Sequence, residues 1–188
     1  MDSLVDQHPV ICNSQGGGQD GSRHGRDNMG GFLGKLRIRL FNLILGRKRG
    51  DYHRRAGEEY RARNGQLPGV TTTRSGLQWQ VLRPADGPKP GFSSRVQVHY
   101  RGTLVDGTEF DSSYARGEPI TFGLLDVISG WREGLQLMSV GSHYRFVLPP
   151  DIAYGGSGAG GVIAPWSTLI FEVELLAIEE KDRNKKKS

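Results

Sequence analysis

VHYRGTLVDGTEFDSS, residues 98–113, is the stretch whose reading decides the fold. Val98 and Tyr100, with Val96 before them, alternate with Gln97, His99 and Arg101, the period-two pattern of a strand with one buried face. Asp106-Gly107 then stands between Leu104 and Phe110. That pair predicts a hairpin closed by a mirror-type turn, with positive φ at both positions. A chain that reverses this tightly builds an antiparallel sheet.

The same period recurs on either side. Gly76 to Arg83 sets Leu77, Trp79 and Val81 against Gln78 and Gln80. His143 to Leu148 puts Tyr144, Phe146 and Leu148 on one face, and Ser167 to Ile178 sets Leu169, Phe171, Val173 and Leu175 against Thr168, Glu172 and Glu174. Within this block only Trp131 to Met138 reads as helix, with Ile128, Trp131 and Leu135 at helical spacing and Gly141 beyond its end. The expected fold is α+β, a single antiparallel sheet of about five strands wrapped around one short helix. That helix is the only element available to cover the apolar face.

The 188 residues suit one domain with an arm. Residues 1–31 are polar and glycine-rich, contain Gly16-Gly17-Gly18, and are expected to form a disordered arm. No apolar run follows a basic start, as a secretory signal would require, and Met29 offers an alternative start. Residues 32–68 read as a short helical basic segment and a spacer. Phe32 to Gly46 (FLGKLRIRLFNLILG) is apolar at helical spacing, but too short and too charged at its start to span a bilayer. It is left with three readings: a helix packed on its own domain or on a second copy, a basic amphipathic helix lying on a membrane surface through residues 32–49, or an export signal. Asp51 to Asn64 reads as a polar helix acting as a solvated spacer, broken by Gln66-Leu67-Pro68-Gly69. The folded domain is expected over 69–180, with a basic disordered tail over 181–188.

The net charge of +5 lies in the ends. Residues 69–180 carry 8 Lys/Arg against 12 Asp/Glu, so a basic nucleic-acid groove on the domain is disfavoured. Gly156-Ser157-Gly158-Ala159-Gly160-Gly161 matches a dinucleotide fingerprint in letters only, because Pro165 and a strand follow where a helix is required. The five histidines show no ligand spacing, so no metal is expected. Cys12, the single cysteine, lies in the arm and has no histidine placed to activate it. What remains is a set of apolar side chains near turns: Tyr100, Phe110, Ile120, Phe122, Val127, Ile128, Trp131, Tyr154, Ile163 and Phe171. Most such residues are simply core. Asp111 directly after Phe110 is different, because a buried carboxylate needs a partner, and Arg116 is near in sequence.

VHYRGTLVDGTEFDSS (98–113), DVISGWREGLQLMSVG (126–141), PPDIAYG (149–155) and STLIFEVELL (167–176) together resemble the FKBP-type peptidyl-prolyl isomerases, in that family's order and nearly its spacing. The lead-in Gly69-Val70-Thr71-Thr72 and Ser75-Gly76-Leu77-Gln78 is similar to the bacterial branch related to the macrophage infectivity potentiators. The resemblance implies an apolar pocket between sheet and helix with Trp131 as its floor. Tyr100, Phe110, Val127, Ile128, Ile163 and Phe171 would be its walls, with Ile120 and Val162 also contacting substrate. Tyr154 and the backbone N–H of Ile128 would bind carbonyls, and Asp111 would sit at the edge, held by Tyr100 and Arg116. Ile120 stands where an aromatic is common, and Ala164-Pro165-Trp166 replaces the family's usual Pro-Pro-polar run.

The implied activity is peptidyl-prolyl cis/trans isomerisation without cofactor or metal, assisting protein folding. Implied partners are proline-containing polypeptides, with macrolides of the rapamycin type as inhibitors, and a dimer remains open. The runner-up is a non-catalytic binding module or chaperone using the same pocket, with Trp166 as an exposed contact. The absent signal and lone cysteine point to the cytoplasm, with a membrane-associated or periplasmic alternative through residues 32–46.

Overall fold

A computed structural model describes residues 50–179. Its strands are β1 (Val70–Thr72), β2 (Gln78–Arg83), β3 (Arg95–Leu104), β4 (Glu109–Ser112), β5 (Ile120–Gly123), β6 (His143–Leu148) and β7 (Leu169–Glu179). Its helices are α1 over residues 50–64, α2 (Ser113–Arg116) and α3 (Ser129–Leu137), with a 3₁₀ turn at Pro150–Ile152. The segment Phe32 to Gly46, the arm before it and the tail from residue 180 onward lie outside the described residues.

β3 and β7 are the longest strands and pair antiparallel along their whole length, from Arg95↔Glu179 to Leu104↔Leu169. The sheet runs β1-β2-β6-β7-β3-β4, and β5 joins β3 as well, so β4 takes one half of that edge and β5 the other. The described sheet thus has seven strands where about five were expected. β1 and β5 are the additions. At three and four residues they are too short to show a period in the sequence.

The hairpin at Asp106-Gly107 is present, but only Gly107 is left-handed, at φ 87°. The loop closes with Gly107 N–H donating to the Leu104 carbonyl at 3.0 Å and Leu104 N–H to the Thr108 carbonyl at 2.8 Å. The Asp106 carboxylate accepts from the Thr108 N–H at 3.0 Å. This is a three-residue hairpin loop with a left-handed glycine, not a two-residue mirror-type turn. Separately, the register shifts between Gly102 and Thr103, which pair with Asp111 and Glu109 and leave Phe110 as an extra residue in β4.

α3 begins two residues earlier than its apolar spacing suggests and buries Trp131 and Leu135 completely. Gly130 and Gly134 lie on the same side. A β-carbon on Gly130 would stand 2.5 Å from Leu148 Cδ2, and one on Gly134 would stand 2.9 Å from the Phe146 ring. Glycine weakens a helix interior by about 1 kcal/mol relative to alanine. Two of them four residues apart let α3 lie flush on β6, so Trp131 reaches the sheet.

α1 is not the solvated spacer that its polar composition suggests. Asn64 and Gln78 are both buried, and Asn64 Nδ2 donates to Gln78 Oε1 at 2.8 Å. Gln78 Nε2 donates to the Arg61 carbonyl at 2.9 Å, and the Arg61 guanidinium bonds to the buried Thr168 hydroxyl. Burial lowers the Arg61 pKa, against the attraction of Glu58 and Asp151. Gly57 is buried where any β-carbon would overlap Thr168. Composition hid this docking because it uses polar groups and glycines, not an apolar stripe. Among the described residues, no helix is long and apolar enough to cross a membrane.

If α3 needs its glycine seam, Gly134→Ala destabilises the fold by about 1–3 kcal/mol despite alanine's better helix propensity. Urea unfolding measures this, and unchanged or raised stability would contradict the flush packing.

Candidate functional site

The indole of Trp131 lies at the centre of a ring of aromatics. Tyr100 from β3, Phe171 from β7 and Phe122 from β5 meet it edge to face, with centroids at 5.2, 5.1 and 5.5 Å. Phe110 from β4 stands edge-on to Phe171 at 5.5 Å. Trp131, Tyr100, Phe171, Val127, Ile128 and Ile163 are buried, while Phe110, Ile120 and Tyr154 are half-buried and packed against them. The arrangement is therefore a buried aromatic floor bordered by partly open side chains. Among the described residues the Trp131 Nε1 is buried without a hydrogen-bond partner, and the rings of Tyr100 and Phe171 meet the indole edge to face. An unmatched buried donor costs roughly 1–3 kcal/mol.

Local structure explains how strand residues reach this centre. β3 is polar on one face and apolar on the other, which turns Val96, Val98 and Tyr100 inward. Gly102 follows on the same face, where a β-carbon would come within 2.6 Å of the Phe110 ring and 3.0 Å of Phe171 Cε1. The missing side chain is what admits Phe110. Ser113 at the start of α2 is fully buried, and its hydroxyl accepts from the Tyr100 N–H at 2.8 Å and meets the Tyr100 carbonyl at 3.2 Å. Neither Gly102 nor Ser113 was anticipated as a site residue. A glycine inside an alternating strand is a readable signal of close approach, whereas Ser113 carries none.

The polar part of the site is a closed triangle. The Tyr100 hydroxyl donates to Asp111 Oδ2 at 2.5 Å. Arg116 donates through Nη2 to the Tyr100 oxygen at 2.9 Å and through Nη1 to Asp111 Oδ1. The Asp111 side chain is 5% exposed and that of Arg116 23%. α2 makes the triangle possible: Ser112 caps it by accepting from the Ala115 N–H, and left-handed Gly117 ends it, so Arg116 turns back over Asp111. Burial, then the bond to Asp111, pushes the Tyr100 phenol far above its usual value. Burial opposes the charge on Arg116, but its bonds to Asp111 and Tyr100 outweigh that and hold its pKa above the ordinary one.

The structure brings Tyr100, Phe110, Asp111, Arg116, Val127, Ile128, Trp131, Ile163 and Phe171 together, with Ile120 and Tyr154 beside them. Ile128 is the N-cap of α3, which sets its N–H at the helix start. Val162 differs. It is 50% exposed on the loop 155–166 and outside the buried cluster. Trp166, expected as an exposed contact, is instead half-buried, with the Arg54 guanidinium 4.1 Å from its ring centroid.

Residues 87–176 match the FKBP-type peptidyl-prolyl cis-trans isomerase family. The crystal structure of FkpA from Escherichia coli superposes with a TM-score of 0.75 at 41% identity, covering 78% of this chain and 68% of that one. The chain belongs to the FKBP-type isomerase family. An FKBP-type isomerase named FkpA from Aeromonas hydrophila is 55% identical over 128 residues, 68% of this chain and 47% of that protein. A relative from Legionella longbeachae named outer membrane protein MIP is 41% identical over 71% of this chain and 57% of its own length. The chain thus spans about half the length of the curated relatives it matches. The FKBP-type fold accounts for the wrap of the sheet around α3, and the macrophage infectivity potentiator branch is represented among its relatives.

Tyr100 gives a pH prediction. The folded chain holds the phenolic proton more tightly than the unfolded chain, whose tyrosines titrate near pH 10 or so. Its contribution to stability is therefore complete below about pH 10 and declines as pH rises further. Tyr114 shares the direction, pushed up to about 12 by burial and its bond to Glu174. Unfolding of wild type and Tyr100→Phe compared over this alkaline range should show their stability difference shrinking with pH. A constant difference would contradict the raised phenol.

Proposed function

We propose that this domain accelerates cis/trans isomerisation of X-Pro peptide bonds in polypeptide substrates. The observation that carries the reading is the Trp131 floor ringed by Tyr100, Phe122 and Phe171, beside a buried carboxylate already satisfied by Tyr100 and Arg116. In this reading a proline ring enters beside the partly open Phe110, Ile120 and Tyr154 to meet that floor, while the carboxylate is committed to structure. The chemistry of the site must suit a reaction without covalent intermediates.

Peptide rotation is such a reaction. The barrier is about 18–20 kcal/mol because twisting removes amide resonance, and uncatalysed X-Pro exchange takes tens to hundreds of seconds, roughly. The twisted amide has less charge separation than the planar one. A dry apolar pocket favours it relative to water, and complementarity to the twisted shape adds differential binding. In this reading Trp131, Phe110, Val127 and Phe171 grip the proline ring, and Ile163, Ile120 and Val162 meet flanking residues. The Tyr154 hydroxyl and the Ile128 N–H orient carbonyls. Asp111, locked between Tyr100 and Arg116, shapes the field of the pocket without taking a proton. Macrolides of the rapamycin type, which combine apolar rings with carbonyls, are the corresponding inhibitors.

The isomerase domain is proposed over 69–180, with α1 docked onto it, as a protein-folding assistant. The name of the Legionella longbeachae relative favours the membrane-associated or periplasmic alternative over the cytoplasmic expectation. Surface contact through residues 32–49 and dimerisation are tested by fractionating and sizing the full chain beside a version starting at Asp51.

Phe110→Ala is the cleaner test of the pocket, because Phe110 is on the open side whereas Trp131→Ala removes the centre of the core. It should lower kcat/KM on a prolyl peptide by roughly 10–100-fold, equivalent to about 1.4–2.7 kcal/mol of lost transition-state binding. An unchanged rate in the folded variant would refute the assignment. Asp111→Asn should reduce the rate while leaving its pH profile flat, and a bell-shaped wild-type profile would mean that Asp111 transfers a proton.

A further inference from the structure

The loop over residues 155–166 borders the candidate site, with Ile163 in the same buried cluster as Trp131 and Ala159 packed against it. It leaves Tyr154, carries Val162 and the buried Ile163, and returns at Trp166. Gly155 to Trp166 is a stem, with the Trp166 N–H donating to the Gly155 carbonyl at 2.8 Å. Inside it Ala159 and Ile163 exchange two backbone bonds, at 2.9 and 3.0 Å. Four glycines in the loop are left-handed, so the chain has little conformational preference of its own. Its position must be fixed from outside.

Trp166 is where the fixing occurs. It is the one non-glycine with positive φ among the described residues, at 63°, a conformation a bulky residue adopts only when surroundings enforce it. Its indole lies between two glycines. A β-carbon on Gly156 would stand 2.9 Å from Cζ2, and one on Gly50, at the start of α1, would stand 3.2 Å from Cδ1. The Arg54 guanidinium, one turn further along α1, covers the ring at 4.1 Å from the centroid. One side of the indole therefore belongs to α1 and the other to the loop that borders the substrate.

We infer that α1 is a positioning element of the prolyl site, acting through an Arg54–Trp166 clamp that holds the loop 155–166 against the pocket and sets affinity for residues flanking the proline. This rests on the isomerase reading for its substrate, but not for its mechanics. α1 cannot drift while the clamp forms, because Arg61 is bonded to Thr168 and Asn64 to Gln78. Arg54 touches neither the aromatic floor nor the Tyr100–Asp111–Arg116 triangle, so it acts on binding and leaves the rotation step alone.

The test uses the full chain with Arg54→Ala, Arg54→Lys, Trp166→Asn and the Arg54→Ala/Trp166→Asn pair. Asparagine tolerates the left-handed backbone, so Trp166→Asn removes the ring without adding strain. Isomerisation kinetics are measured on prolyl tetrapeptides differing beside the proline, and amide hydrogen exchange is followed at Ala159 and Ile163. Arg54→Ala should raise KM roughly 3–10-fold with kcat within about twofold, the signature of lost binding without lost transition-state selectivity. Arg54→Lys should recover part of this by keeping a cation over the ring. The double variant should be no worse than either single one, as for two partners of one contact. Loop exchange should speed up in Arg54→Ala. Unchanged KM together with unchanged exchange would overturn the inference, as would a fall in kcat alone. If wild type shows no turnover, the isomerase reading fails, and exchange at Ala159 and Ile163 still decides the clamp.

Discussion

Everything in the domain is arranged around the seating of one indole. Trp131 reaches the sheet only because Gly130 and Gly134 let α3 approach Leu148 and Phe146 without side chains between them. Its burial against Tyr100, Phe122 and Phe171 joins β3, β5 and β7 to the helix. Full burial of a large apolar side chain is worth about 1.5–3 kcal/mol, so the same contact that forms the floor of the site also holds helix to sheet. The candidate site therefore lies at the centre of the core, among residues that also hold the fold together.

The polar triangle depends on that seating. Asp111 would be a costly buried charge if Tyr100 and Arg116 did not satisfy it, and breaking such a pair by removing one partner leaves the other uncompensated. Tyr100 belongs to both systems at once: its ring packs on Trp131 and its hydroxyl bonds Asp111. The Asp111 carboxylate is bonded to both Tyr100 and Arg116. The closed arrangement fits a reaction driven by shape and low polarity.

Much of this was legible because the signals were periodic. The alternation around Val98, Phe146 and Phe171 placed the long strands, and Ile128, Trp131 and Leu135 placed the helix. Resemblance to a family supplied the grouping of those residues into one pocket, which spacing alone could not. Features built from short or polar contacts escaped. β1 and β5 have too few residues for a period, and the docking of α1 runs through Asn64, Gln78, Arg61 and Gly57, a composition indistinguishable from a solvated helix. Trp166 looked like an exposed aromatic because its partner, Arg54, lies more than a hundred residues away in sequence. The Asp106-Gly107 turn was located correctly and typed wrongly, since a hairpin with one extra residue needs only one left-handed position.

The central claim is that an aromatic pocket without a titrating group turns the X-Pro bond. It is tested most directly by exchange NMR on a prolyl peptide at equilibrium, with a catalytic amount of the full chain. Cis and trans resonances should exchange on the subsecond scale, far faster than the tens to hundreds of seconds or so of the free peptide, while the Trp131 indole N–H shifts on binding. Binding that moves the Trp131 resonance but leaves the cis/trans exchange at its uncatalysed rate would contradict the claim and make the domain a prolyl-binding module.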